Sequence, residues 1–151
     1  VTLGNATSDA TTVSGTLAVQ STTNSTSKTT GALTVSGGVG INNDLHVGGD
    51  ITAFASSDQT LKENTVGITS ALYKVGLITG YTYSWKDGYH LADVGVEDTG
   101  VIAQEVEALG LPGITTTREN GIKAVRYERL VPLLIQAIKE LEARVKTLES
   151  S

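Results

Sequence analysis

A chain of 151 residues with a formal net charge of −5 has room for one or two small domains and lacks the basic surface that nucleic-acid binding requires. It has no cysteine, which excludes disulfides and thiolate metal sites. Its apolar runs fall short of the ~18 residues that cross a bilayer, so no membrane insertion is expected, and its start at Val1 rather than Met suggests a piece of something longer.

Residues 1–56 carry one basic residue, Lys28, three acidic ones, Asp9, Asp44 and Asp50, and one aromatic, Phe54. Such a segment buries little apolar surface by itself, so a compact monomeric core is not expected. It is nevertheless patterned. The stretches 15–20, 31–41 and 43–51 set Leu and Val two apart: Leu17/Val19, Leu33/Val35 and Leu45/Val47. That period reads as short strands with one apolar face, and the Gly-Gly and Asn-Asn pairs between them read as turns. Each unit has a thin apolar stripe and nothing in its own chain to cover it. The expectation is an all-β segment interwoven with other chains into a fibre. The plainer alternative is a Ser/Thr/Gly linker.

Residues 57–151 hold the other ten basic and thirteen acidic residues and read as α+β. Thr79 to Trp85 alternates as a strand, and 86–90 supplies a turn. Val101 to Leu109 has apolar residues at helical spacing and is stopped by Gly110 and Pro112. The "ITTT", "RENG" and "IKAVRY" stretches form a hairpin candidate turning at Asn120-Gly121. A long helix closes the chain from Leu130, with Pro132 tolerable only near its first turn. It carries heptads: Val131, Ile138 and Val145 at one core position, Leu134, Leu141 and Leu148 at the other. Lys139, Glu140, Glu142, Arg144 and Lys146 fill the outside. A seam over three heptads predicts association with other helices, while Leu130, Leu133 and Ala137 widen the stripe toward the helix's own domain.

Few residues offer chemistry. His46 and His90 are isolated, which argues against a metal site, and no cofactor is expected. The "GGVG" at 37–40 lacks the Lys-Ser/Thr and helix of a phosphate loop. The acids Asp87/Asp93 and Glu97/Asp98 read as solvated turns, and Gln104 to Glu107 as a polar helix face. Ser57 and Lys62 remain. A serine hydroxyl needs a base, and a lysine is a base only when neutral, which burial favours. A spacing of five is not a helix-face spacing, so the two meet only if the serine end is extended or if they pair between chains. The bland alternative is that Ser56 or Ser57 caps a helix through "DQTLKEN", with Gln59 completing a capping box after Ser56.

The ordered set "SSDQTLKEN", "TYSWKDG", "GVIAQEVEALGLPGI" and "VRYERLVPLLIQAIKELEARV" resembles the intramolecular chaperone and autoprocessing domain of phage tail spikes, tail fibres and endosialidases. The same module is similar to the self-cleaving region of a membrane-bound animal transcription factor. The resemblance covers residue 56 to the end, and the Gly-rich repeats before it look like phage fibre sequence. It implies a homotrimerising chaperone domain (57–151) that aligns the fibre segment (1–56) and then cuts itself off before the serine of the Ser-Asp motif. Carried over, Ser57 is the nucleophile, Lys62 the base, Asp58 a supporting residue and Ser56–Ser57 the scissile bond. With the trimer that the resemblance implies, the heptad seam is expected to be a trimer seam at Leu134, Ile138, Leu141, Val145 and Leu148. It places the mature fibre in the virion, with a host cell-surface receptor, and the released chaperone in the host cytoplasm. The rival readings are a fibre tip with a permanent helical clasp and no peptidase activity, or a Ser-Lys hydrolase acting on other substrates.

Overall fold

In the computed structural model, which describes residues 10–86 and 95–150, the chain divides into two units, Val1–Ala55 and Ser56–Ser151. His90, Asp87 and Asp93, and with them the turn expected after Trp85, lie outside the described residues.

In the first unit, none of the described residues 10–55 is buried and none lies in a hydrogen-bonded strand. The alternating pairs stand open to solvent, Leu17 and Leu45 among them. A ladder needs a partner for its N–H and C=O groups, and a thin stripe in one copy has none. Local order comes from hydroxyls instead: the Thr30 side chain accepts from the N–H groups of Thr26 (2.8 Å) and Ser27 (2.9 Å), closing a turn around Lys28.

The second unit is mixed α and β, with two small sheets and a long final helix. Its helices are α1 (Ala71–Val75), α2 (Ala103–Ala108) and α3 (Leu130–Glu149). Strands β1 (Gly80–Ser84) and β2 (Glu97–Val101) pair antiparallel, with Gly80 opposite Val101 and Ser84 opposite Glu97. Strands β3 (Thr115–Thr117) and β4 (Lys123–Val125) form a second antiparallel pair. α3 has 20 residues, about 30 Å at 1.5 Å per residue, and Pro132 sits in its first turn, where its missing N–H removes no helical bond. Leu133 and Ala137 on one face of α3 pack with Ala71 and Leu109, and Ile68, Leu72, Ile78, Leu111 and Leu130 surround them. Val106 and Ile114 are also buried.

Three local readings need correction. Val101 belongs to β2, not to the following helix: it pairs with Gly80, and the helix starts only after Ile102. Asp98 and Glu97 lie on β2 rather than in a turn. The second hairpin does not turn on Asn120-Gly121 as a two-residue loop, because that needs positive φ at Asn120. Instead the Gly121 N–H donates to the Arg118 carbonyl (2.9 Å), closing a four-residue turn over 118–121 whose last residue, Gly121, is left-handed (φ +79°).

Tyr127, just ahead of α3, reaches back to β2, where its hydroxyl accepts from the Val101 N–H (3.2 Å). Gly100 makes room for it: an added Cβ would collide with that hydroxyl. Gly100→Ala should therefore lower stability by roughly 1–3 kcal/mol in urea denaturation, the usual cost of overpacking. An unchanged midpoint would mean that Tyr127 does not anchor α3 in this way.

Glu140 departs most from its expected place. It lies on the face of α3 that carries Leu133 and Ala137, and its two carboxylate oxygens accept from the N–H groups of Ala71 and Leu72, both at 2.8 Å. α1 has no cap of its own, since Ser70 is left-handed (φ +53°) and its side chain makes no capping bond. A residue of α3 thus supplies the acceptor for the first turn of α1.

The Leu72 N–H, then the Ala71 N–H and the nearby Lys74 charge hold the Glu140 carboxyl below its ordinary 4.5. A depressed carboxyl contributes stability above its unfolded value and loses it as pH falls through the lower folded one. The melting temperature should accordingly fall with acid below about pH 4.5, and Glu140→Gln should flatten part of that slope. An identical acid profile in the variant would remove Glu140 from the account.

Candidate active site

The residues after Ala55 form one tight turn. Asp58 is extended (φ −60°, ψ 140°) and caps a single 3₁₀ turn, Gln59–Leu61. Its Oδ1 accepts from the Thr60 N–H (2.8 Å) and the Thr60 hydroxyl (2.6 Å). Those bonds, the hydroxyl's first, hold the Asp58 carboxyl below the usual range and keep it a charged acceptor. The Lys62 N–H then closes on the Gln59 carbonyl (3.1 Å), which turns the lysine back toward the start of the segment.

Lys62 Nζ donates to Ser57 Oγ at 2.7 Å and to the Ser57 carbonyl oxygen at 2.9 Å. Of the two arrangements that the spacing of five left open, the structure has the extended one, within a single chain. The cap is Asp58, so neither Ser56 nor Ser57 has the capping role of the bland alternative, and one 3₁₀ turn replaces the helix it assumed. Both Ser57 and Lys62 are exposed in the single chain, as is Ser56. A serine hydroxyl and a lysine amine are thereby in hydrogen-bond contact beside the Ser56–Ser57 peptide, within the reach over which a hydroxyl proton can pass to a neutral amine.

The seam residues occupy the flank of α3 next to its inner face. Val131, Leu134, Ile138, Leu141, Val145 and Leu148 are all open, from 43% exposed at Val145 to 75% at Leu148, while Leu133 on the inner face is fully buried. Glu142 and Lys146 form an exposed ion pair (2.7 Å) one turn apart on α3.

Several acids expected to be solvated connect elements instead. Glu105 accepts from the Thr79 N–H (2.9 Å) and the Tyr81 hydroxyl (2.7 Å), tying α2 to β1. Glu107 pairs with Lys123 of β4 at 2.7 Å. Asp98 accepts from the Thr99 N–H, Trp85 Nε1 and the Tyr83 hydroxyl, and these bonds, the Thr99 one largest, hold its carboxyl low. Only Glu140 carried a signal in the sequence, its spacing of seven and three from Leu133 and Ala137 on one helix face.

A cleft of about 800 Å³ opens between the two hairpins, lined in part by Trp85, Asp98, Gln104, Lys123 and Tyr127. Neither Ser57 nor Lys62 lines it, so the cleft and the Ser-Lys contact are separate features. Among the described residues no group of three or more His, Cys, Asp or Glu side chains is placed to hold a metal ion, and no helix is long and apolar enough to cross a membrane.

The profile of a family described as Chaperone of endosialidase, whose short name is that of a peptidase family, matches residues 57–115 and so begins at Ser57. The chain is also 33% identical over 115 residues, 72% of its length, to the long tail fiber protein Gp37 of Enterobacteria phage K3 and to that of Enterobacteria phage T2. It spans only 9% and 8% of those two proteins. With a family match that opens on the Ser57 turn and tail-fibre relatives that align with most of its length, this chain belongs to the chaperone-of-endosialidase family and carries a phage tail-fibre chaperone domain.

Proposed function

We propose that residues 57–151 are a trimerisation chaperone for the fibre segment 1–56 and release themselves by autoproteolysis at Ser56–Ser57. The single observation that carries this reading is the 2.7 Å contact between Lys62 Nζ and Ser57 Oγ, at the residue where the family match begins. In the reaction, neutral Lys62 takes the proton of Ser57 Oγ, and Oγ adds to the Ser56 carbonyl carbon. The carbon–nitrogen bond breaks, the proton passes to the Ser57 nitrogen, and an ester joins Ser56 to Ser57 Oγ. Water opens that ester, leaving a Ser56 carboxylate and a free Ser57 amine. The separation of the cleft from Ser57 favours the chain's own peptide as substrate over an added one.

The task explains the arrangement. Three thin apolar stripes must come into register, and such non-local pairing has a high entropic cost. A domain that associates first, through the open face of α3, raises the effective concentration of the fibre segments. The Ser57–Lys62 pair lies open to water in the single chain, so we tie cutting to the assembled trimer. Cutting then removes the route back and leaves a kinetically stable fibre, placed in the virion like the tail-fibre relatives and facing a host receptor. The mass of the denatured chain after native expression tests this: two pieces divided at Ser56–Ser57 are expected, and one intact polypeptide in a proven trimer would favour a permanent clasp.

A further inference from the structure

We propose that Glu140 is a positioning residue that couples helix association to cleavage at Ser57, an inference that rests on the self-cleavage reading above. α3 works on two sides at once. Its inner face sets Leu133 and Ala137 in the core and Glu140 on the first amides of α1, at 2.8 Å each. Its other face presents Ile138 and Leu141, 65% and 48% exposed, which flank Glu140 in sequence. A shift of α3 as that open face packs is passed inward through the nearest charged grip on the rest of the domain.

That grip follows the Ser57–Lys62 turn along the chain, reaching Ala71 nine residues after Lys62. The chain leaves Lys62, passes a left-handed Asn64 (φ +50°), and meets the inner face of α3 from Gly67 on. Gly67 lies close under Gln136, where an added Cβ would approach Nε2 to 3.3 Å, and Ile68 packs on the core. At Ser70 the chain turns left-handed again, and the Ala71 and Leu72 amides close on Glu140. The stretch from Gly67 to Leu72 is therefore held in the core that the inner face of α3 shares with Leu109, with Glu140 as its charged contact. Since α1 has no local cap, replacing the carboxylate by an amide leaves one neutral acceptor for two N–H groups and loosens the anchor of the turn ahead of it. Small displacements of a reacting pair slow chemistry strongly.

The experiment compares Glu140→Gln and Glu140→Asp with wild type. The Gln variant should still form trimers by light scattering, since Glu140 faces α1 and not the seam. Its uncut chain should disappear roughly tenfold to a hundredfold more slowly, followed by mass. The Asp variant, which keeps the charge on a shorter arm, should recover part of the rate. In a Ser57→Ala background, adding Glu140→Gln should speed hydrogen exchange at the Ala71 and Leu72 amides. Trimers of the Gln variant that cut at the wild-type rate would overturn the proposal. So would a Gln variant that fails to assemble, because Glu140 would then serve the seam itself. A wild-type control that never cuts would defeat the self-cleavage reading, and this coupling with it, and is thereby told apart from a failure of the coupling alone.

Discussion

Lys62→Arg should leave the chain uncut and trimeric. Guanidinium stays charged at any pH the protein survives and cannot accept the Ser57 proton, although it can still donate to both Ser57 oxygens as Lys62 does. The contact would persist while the base is lost, which separates chemistry from structure. General-base catalysis accounts for about 10²- to 10⁴-fold in rate, so the expected loss is of that order or greater. Ser57→Ala should abolish cutting altogether, and Ser56→Ala should not, since Ser56 contributes only its carbonyl to the reaction. The measurement is the mass of uncut trimer refolded from denaturant and sampled over time. A Lys62→Arg chain cutting at the normal rate, or equal cutting in dilute wild-type monomer, would remove Lys62 as an assembly-dependent base.

Leu141→Ala and Ile138→Ala should each lower trimer yield and cleavage together. Both side chains are open on the single chain, 48% and 65% exposed, on the flank of α3 beside its core face. If the trimer buries them fully, each truncation costs on the order of 2–5 kcal/mol of assembly per site. Leu133→Ala should behave differently. It is already buried on α1 and the α2 end, so its loss should destabilise the monomer before any association. Sedimentation of the variants against concentration, with cut fraction read in parallel, distinguishes the two. Normal cutting in a Leu141→Ala chain shown to be monomeric would break the link between assembly and cleavage.

Period and punctuation were enough to place the long helix, the β1 strand and the second hairpin, because each is a local pattern with its own stop signal: Pro132 early in α3, Gly110 after α2, Gly121 in the turn. The Ser57–Lys62 pairing was half legible. Five residues cannot align on a helix face, and which of the two remaining arrangements holds depended on Asp58 capping a single turn, a choice that the Thr60 hydroxyl helps to make. Of the acids only Glu140 was half legible, since it shares a helix face with Leu133 and Ala137. Glu105 and Glu107 sit at positions any solvated helix face would show, and the partners of all three, the α1 amides, Tyr81 and Lys123, lie 16 to 69 residues away in sequence. The Leu/Val period marked an apolar stripe over 15–51 with nothing in its own chain to cover it, and those side chains stand open in the single chain. An amphipathic pattern states that a face must be buried. Only packing states against what, because α3 bears two apolar faces, and the one that Ala71 and Leu109 cover is decided by contacts that close in three dimensions.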